Sequence, residues 1–198
     1  MPKIDYYFST ISPYTYLAGD QLEQIAEKHG AEIVYKPLDI VALFGRTGGT
    51  PPAQRHENRQ AYRAKDLVRV SKLNGLDLNL KPAFFPTNAA PSSYAVIAAQ
   101  AAGTGDVGAL VRGLLTSVWV KEQNIAEDEV IRACLTEAGF DPALADSGLL
   151  SGAETYAANL EEAVACGAFG APFYVVGDEP FWGQDRLAHL DAHLSGDI

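Results

Sequence analysis

Thiols are nearly absent from this sequence. Its two cysteines, Cys134 and Cys166, stand far apart and match neither a CxxC pair nor the ligand spacing of a metal site. That excludes a disulfide-stapled fold and a cysteine-ligated zinc centre. Basic residues are also few, with fifteen Lys and Arg against twenty-five Asp and Glu, a formal net charge of −10. Nucleic acids and anionic lipid surfaces select a basic face, so neither is the expected partner. An acidic small molecule stays open, because a pocket can be locally basic. No apolar run reaches the ~20 residues that span a bilayer. Met-Pro-Lys leads straight into Ile4-Asp5-Tyr6-Tyr7-Phe8, without the apolar core and cleavage site of an export signal. The expected location is the cytoplasm.

What is present is enough for a core. Hydrophobic residues make up 47% and charged residues 20%, a balance that speaks against disorder and coiled coil. A chain of this length can bury roughly 70% of its unfolded surface. Residues 3–9 are aromatic-rich and read as a buried strand. Ser12-Pro13 then opens a helix, with Leu17, Leu22, Ile25 and Ala26 at helical spacing and His29-Gly30 at its end. Residues 31–36 read as a second strand, and a helical crossover implies that the two strands are parallel. Residues 45–54 form a Gly/Pro loop rather than a third strand. Tyr62, Leu67, Val70 and Leu73 mark an amphipathic helix over 57–74. An irregular stretch at 75–91 precedes helices at 92–102, 106–122, 126–138, 142–150 and 153–166. The ending reads as a hairpin turning at Gly177-Asp178, followed by a helix from Gln184 to Leu194. The simplest interpretation is an α/β fold in which one sheet-bearing unit, 1–37 with 168–198, is split by a helical insertion over 38–167.

Several motifs have two readings. Gly103-Thr104-Gly105-Asp106-Val107-Gly108 fits GxGxxG, but an alanine-rich helix precedes it where a nucleotide-binding unit needs a strand. Gly103 is then a helix cap and Gly105-Asp106 a turn. The glycines at 45–50 lack the GK[ST] of a phosphate loop. His189 and His193 sit one helical turn apart with no third ligand in sight, and suit the negative end of a terminal helix. His29 fits a helix end and His56 a loop. Ser12 is either a helix cap, worth roughly 0.5–2 kcal/mol, or a hydroxyl placed to hydrogen-bond a thiolate or another oxyanion. Ala171-Pro172 is either the start of an edge strand or a cis peptide facing the first helix.

Taken together, Phe8-Ser9-Thr10-Ile11-Ser12-Pro13-Tyr14-Thr15-Tyr16-Leu17, Phe169-Gly170-Ala171-Pro172 and Trp182-Gly183-Gln184-Asp185-Arg186-Leu187 resemble the 2-hydroxychromene-2-carboxylate isomerases. Phe44, Thr47-Gly48, Pro51-Pro52 and Phe85-Pro86-Thr87-Asn88 are weaker matches between them. The resemblance spans nearly the whole chain. It implies a thioredoxin fold carrying a large all-helical insertion, shared with kappa-class glutathione transferases and the oxidoreductase DsbA. Ser12-Pro13-Tyr14-Thr15 would stand where the oxidoreductases carry CxxC, so dithiol chemistry has no thiol pair. In the isomerases a serine there holds glutathione as a cofactor. Its thiolate adds to an electron-poor carbon of the substrate, a double bond becomes single and rotates, and elimination restores the thiol with no net redox change.

By the same resemblance Ser12 is the catalytic residue. Ala171 and a cis Pro172 would hold the cysteinyl unit, and Trp182, Gly183, Gln184 and Asp185 would line the γ-glutamyl end. The chain also departs from the family. Gly45 and Gly49-Thr50 replace a lysine and an Asn-Arg pair often found there. Arg46 and Arg55 are the candidates to replace the lost cation on the substrate side, with Asn88 a further substrate contact. The resemblance implies aromatic catabolism, a small-molecule substrate and a homodimer. A kappa-like glutathione transferase or peroxidase would consume glutathione, and a non-catalytic thiol-binding protein would turn over nothing.

Overall fold

The computed structural model describes all 198 residues. Strand β1 (Lys3–Phe8) runs parallel to β2 (Glu32–Pro37) and antiparallel to β3 (Phe173–Val176), which forms a hairpin with β4 (Glu179–Trp182). The order across the sheet is β2-β1-β3-β4. Segments from both ends of the chain therefore build one sheet, and everything between β2 and β3 is helix or loop. This is a thioredoxin-type α/β sheet with a helical insertion, the fold class expected.

Register sorts the side chains into two layers. Tyr35, Tyr6, Tyr174 and Phe181 line up across the four strands and face the main core, with Tyr6 and Tyr174 stacked at 5.1 Å. One residue along, Tyr7 and Phe173 point to the opposite face, because strand side chains alternate. There they meet Leu38, Leu43 and Ala163. Leu43 and Ala163 belong to helices α3 (Ile40–Thr47) and α9 (Leu149–Ala165).

The first helical stretch differs from expectation. It is broken at Gly19, whose φ of +63° leaves the right-handed region, into α1 (Pro13–Leu17) and α2 (Gln21–His29). Helix α3 was not expected. Asp39 caps it, its Oδ1 accepting from the Val41 and Ala42 N–H groups, and it absorbs Gly45, Arg46 and Thr47, so the Gly/Pro loop begins only at Gly48. Helix α4 (Glu57–Asn74) has the expected bounds, but its stripe is not a core stripe. Leu67 alone is buried, while Tyr62 and Leu73 are 62% and 84% exposed.

Helices α5 (Ala90–Ala102), α6 (Val107–Trp119) and α7 (Asp128–Glu137) follow as expected within a few residues. The two last insertion helices redivide at Gly148 into a single turn, α8 (Leu144–Ser147), and the long α9. A 3-10 turn over Gln184–Arg186 precedes the final helix α10 (Leu187–Ser195), where one continuous helix was expected. No helix is long and apolar enough to cross a membrane.

Candidate active site

Ser12 closes the turn that carries β1 into α1. Its backbone is extended, with φ −77° and ψ 123°, and its Oγ accepts from the Thr15 N–H at 3.2 Å. Pro13 follows at the first helical position, where a missing N–H costs nothing. The cap expected of Ser12 is therefore formed. Its own hydroxyl proton has no acceptor in the protein, and the side chain is half-buried, so Ser12 keeps a free donor at the helix entrance. With α1 only five residues long, positive field at this point comes from the open N–H groups of one turn.

Beside it opens a cleft of about 760 Å³. Tyr14 of α1 and Ala171 of the loop before β3 both line it, so the two ends of the chain meet there. The Ala171-Pro172 bond is cis. Trp182, Gly183, Gln184 and Asp185 continue that wall, and the Pro172 carbonyl accepts from the Gly183 N–H at 2.9 Å. Gly183 sits at φ +107° and ψ 156°, a region open in practice only to glycine. Trp182 is half-exposed and packs edge-on against Phe169 at 4.8 Å. Asp185 pairs with Arg186 at 2.7 Å, both at the surface.

The opposite wall is helix α4 with the loop before it, presenting Arg55, Arg59, Tyr62, Arg63 and Asp66. Tyr14 donates its hydroxyl to Asp66 Oδ2 at 2.9 Å, and the Arg63 guanidinium lies 5.8 Å from the centre of the Tyr14 ring. Burial and the Asp66 carboxylate push the Tyr14 phenol well above its ordinary range. Burial lowers Arg63, and burial with neighbouring Arg59 lowers Arg55.

A second cavity, about 220 Å³, lies on the other side of Ser12 in the chain. Ile11, Ser9, Asp39, Thr87, Asn88 and Tyr156 line it. The Ser9 hydroxyl is fully buried there without a partner. Asn88 Oδ1 accepts from the Ala90 N–H at 3.1 Å, which leaves its amide N–H groups uncommitted. Burial, then the nearby Asp39 charge, raises the Tyr156 phenol.

The expected site residues thus divide. Ala171, Trp182, Gly183, Gln184, Asp185 and Arg55 share the large cleft, and Pro172 is buried behind it. Ser12 stands between the cleft residue Tyr14 and the small-cavity residue Ile11 without lining either space. Asn88 lies in the small cavity, away from Arg55. Arg46 lines neither; its guanidinium forms a two-pronged pair with Glu161 on α9, so it is not a free cation beside a ligand. Arg59 and Arg63 were missed. Their signal was the repeat of arginine every four residues from Arg55, which places Arg59 and Arg63 on one face of α4, with Arg55 in the extended segment just before it. Ser9, Asp39 and Tyr156 share no local pattern, since they come together only through the sheet and two helices.

The family described as a DSBA-like thioredoxin domain matches residues 3–195. A 2-hydroxychromene-2-carboxylate isomerase of Sphingobium xenophagum is 30% identical over 194 residues, covering 96% of this chain and 97% of that protein. Glutathione S-transferase kappa 1 of Caenorhabditis elegans is 27% identical over 212 residues, covering 98% and 91%. A solved 2-hydroxychromene-2-carboxylate isomerase superimposes with a TM-score of 0.78 at 24% identity, covering 98% of this chain and 95% of that one.

Proposed function

The chain belongs to the DSBA-like thioredoxin family and to the 2-hydroxychromene-2-carboxylate isomerase family, and from that premise we propose that it is a glutathione-dependent isomerase of 2-hydroxychromene-2-carboxylate-type aromatic keto acids. The observation that carries this reading is Ser12. It occupies the helix entrance with no thiol of its own, its hydroxyl proton uncommitted, flanked in the chain by Ile11 of the small cavity and Tyr14 of the large cleft. Bound glutathione would supply the missing thiol, whose reversible addition to a conjugated carbon frees a double bond to rotate with no net redox change.

The residues present fit that group. The Ser12 O–H is free to donate to a sulfur, and such a bond favours a thiolate over a thiol. Ala171 lines the cleft, while Trp182 and Gly183 shape its wall. Asp185 suits an ammonium group, and the cations of α4 across from it suit a carboxylate. The keto acid then falls to the smaller cavity, where the buried Ser9 hydroxyl has no partner and the exposed Asn88 amide has N–H groups left to donate. Filling that cavity would displace water from the reacting carbon.

Titrating glutathione across pH while following thiolate ultraviolet absorbance tests this. A free thiol ionises near ~8.5. Bound to this protein it is expected to ionise well below that, with the shift lost in Ser12→Ala. Ser12→Asp separates the two roles of the side chain: it keeps the helix cap but has no proton to give at neutral pH, so stability should survive and the shift should not. Glutathione that binds without any shift removes Ser12 from the chemistry. The kappa transferase relative favours a second reading, and thiol stoichiometry separates the two. An isomerase leaves free glutathione constant through many turnovers, and a transferase depletes it.

A further inference from the structure

Charge is unevenly spread over this chain. The whole carries −10, yet α4 holds five basic residues against only Glu57 and Asp66. Of the eight arginines, Arg46, Arg112, Arg132 and Arg186 each have a carboxylate within 4.0 Å. The four without one are Arg55, Arg59, Arg63 and Arg69, all on α4 or just before it. Three of these four line one wall of the large cleft.

Two of the three are held firmly and left unneutralised. Arg55 Nε donates to the Thr50 carbonyl at 2.7 Å, and its guanidinium lies 5.8 Å from the centre of the Phe44 ring. Arg63 lies over Tyr14, itself tied to Asp66. Asp66 is the one acid on that wall, and no arginine comes within ion-pair distance of it. Burial first, and then a neighbouring guanidinium group, disfavours the charge on Arg55 and Arg63 where they stand. A guanidinium group fixed by its stem and by ring stacking presents its remaining N–H groups in a plane suited to an oxyanion. Trp182, Asp185 and Arg186 form the far wall, where Asp185 is already paired with Arg186 at 2.7 Å, so the unpaired charge of the cleft is the cationic face of α4 and the loop before it.

We propose that Arg55, Arg59 and Arg63 form an oxyanion subsite that takes the terminal glycyl carboxylate of the thiol tripeptide held in this cleft. The assignment rests on the glutathione reading given above. It assigns Arg55 and the α4 arginines to the glutathione side of the site, and not to the substrate-side cation lost from the loop containing Gly45 and Gly49-Thr50.

Calorimetric titration of the intact protein with S-methylglutathione and with its glycyl ethyl ester tests it. The wild type is expected to bind the ester about tenfold more weakly or worse, the range for losing a hydrogen bond to a charged group. The double variant Arg59→Gln, Arg63→Gln should bind both peptides with the same weak affinity. Arg69→Gln, on the same helix but off the cleft, should keep the wild-type preference, and circular dichroism checks that all variants fold. A double variant that still prefers the free carboxylate overturns the subsite. Should the wild type bind neither peptide, the glutathione reading fails as well, and citrate then tests the arginines alone. Citrate binding that vanishes in the double variant sustains an oxyanion subsite for another acid; no citrate binding removes the subsite altogether.

Discussion

At the residue scale, the cleft depends on positions where one atom decides the shape. Gly183 is the sharpest case. An added Cβ would lie 2.7 Å from Asp185 Oδ1, at a backbone angle of φ +107°. Gly183→Ala must either move Asp185 or leave that conformation. It is expected to cost about 1–3 kcal/mol, read by chemical denaturation, and to weaken ligand binding in the large cleft. A fully stable variant with unchanged affinity would show that this turn has room to relax. Much of this wall was legible, because Trp182 to Asp185 are contiguous in sequence and one motif carries them all. The α4 arginines were legible only as a spacing, since nothing local says which face of a helix meets a cleft and which meets bulk solvent.

Helix α4 shows how an element can be read with the right bounds and the wrong role. His56 caps it, with Nδ1 accepting from the Asn58 N–H at 3.2 Å, and Gly75 ends it in the left-handed region. Both ends follow from local chemistry. Its apolar positions report the core only in part: Val70 packs against it beside Leu67, while Tyr62 and Leu73 stay exposed along the open cleft. The helix is anchored to α1 by buried Leu67, by the Tyr14–Asp66 bond and by Asn74, which donates to the Leu17 carbonyl at 2.8 Å. Leu67→Ala should therefore act on the element before the molecule. A loss of about 2–5 kcal/mol is expected for such a truncation, and hydrogen exchange in peptides spanning 57–74 should accelerate more than in β1. Uniform acceleration along the chain would mean that α4 is no separate unit of stability. The break at Gly19 and the helix α3 were visible only in part. Both rest on single residues, Gly19 and the cap Asp39, set among neighbours that suit helix.

At the scale of the whole molecule, the join between sheet and insertion is a buried polar cluster that no sequence motif announces. Glu23 of α2 accepts from the Tyr35 hydroxyl at 3.0 Å, and Arg112 of α6 lies 3.2 Å from the same oxygen. Tyr6 of β1 packs edge-on against Tyr35 and stacks on Tyr174 of β3, whose hydroxyl is buried without a partner. One strand, one helix of the sheet-bearing unit and one helix of the insertion thus meet at one carboxyl group. Burial raises the Glu23 carboxyl above its ordinary range, and the lowering from Arg112 and Tyr35 does not cancel it. An acid whose pKa is higher folded than unfolded binds more protons in the folded state between those two values. Stability must then fall as pH rises through that interval, which starts at the unfolded value near ~4.3. Glu23→Gln removes the titration yet keeps an acceptor for Tyr35 and Arg112. Denaturation of both proteins from pH 4 to pH 7 should show the wild type losing stability relative to the variant as pH rises. A constant difference across that range would mean that the Glu23 carboxyl titrates alike in the folded and unfolded chain. A wild type that instead gains stability relative to the variant as pH rises would make the joint an ordinary ion pair, with Arg112 and Tyr35 outweighing burial.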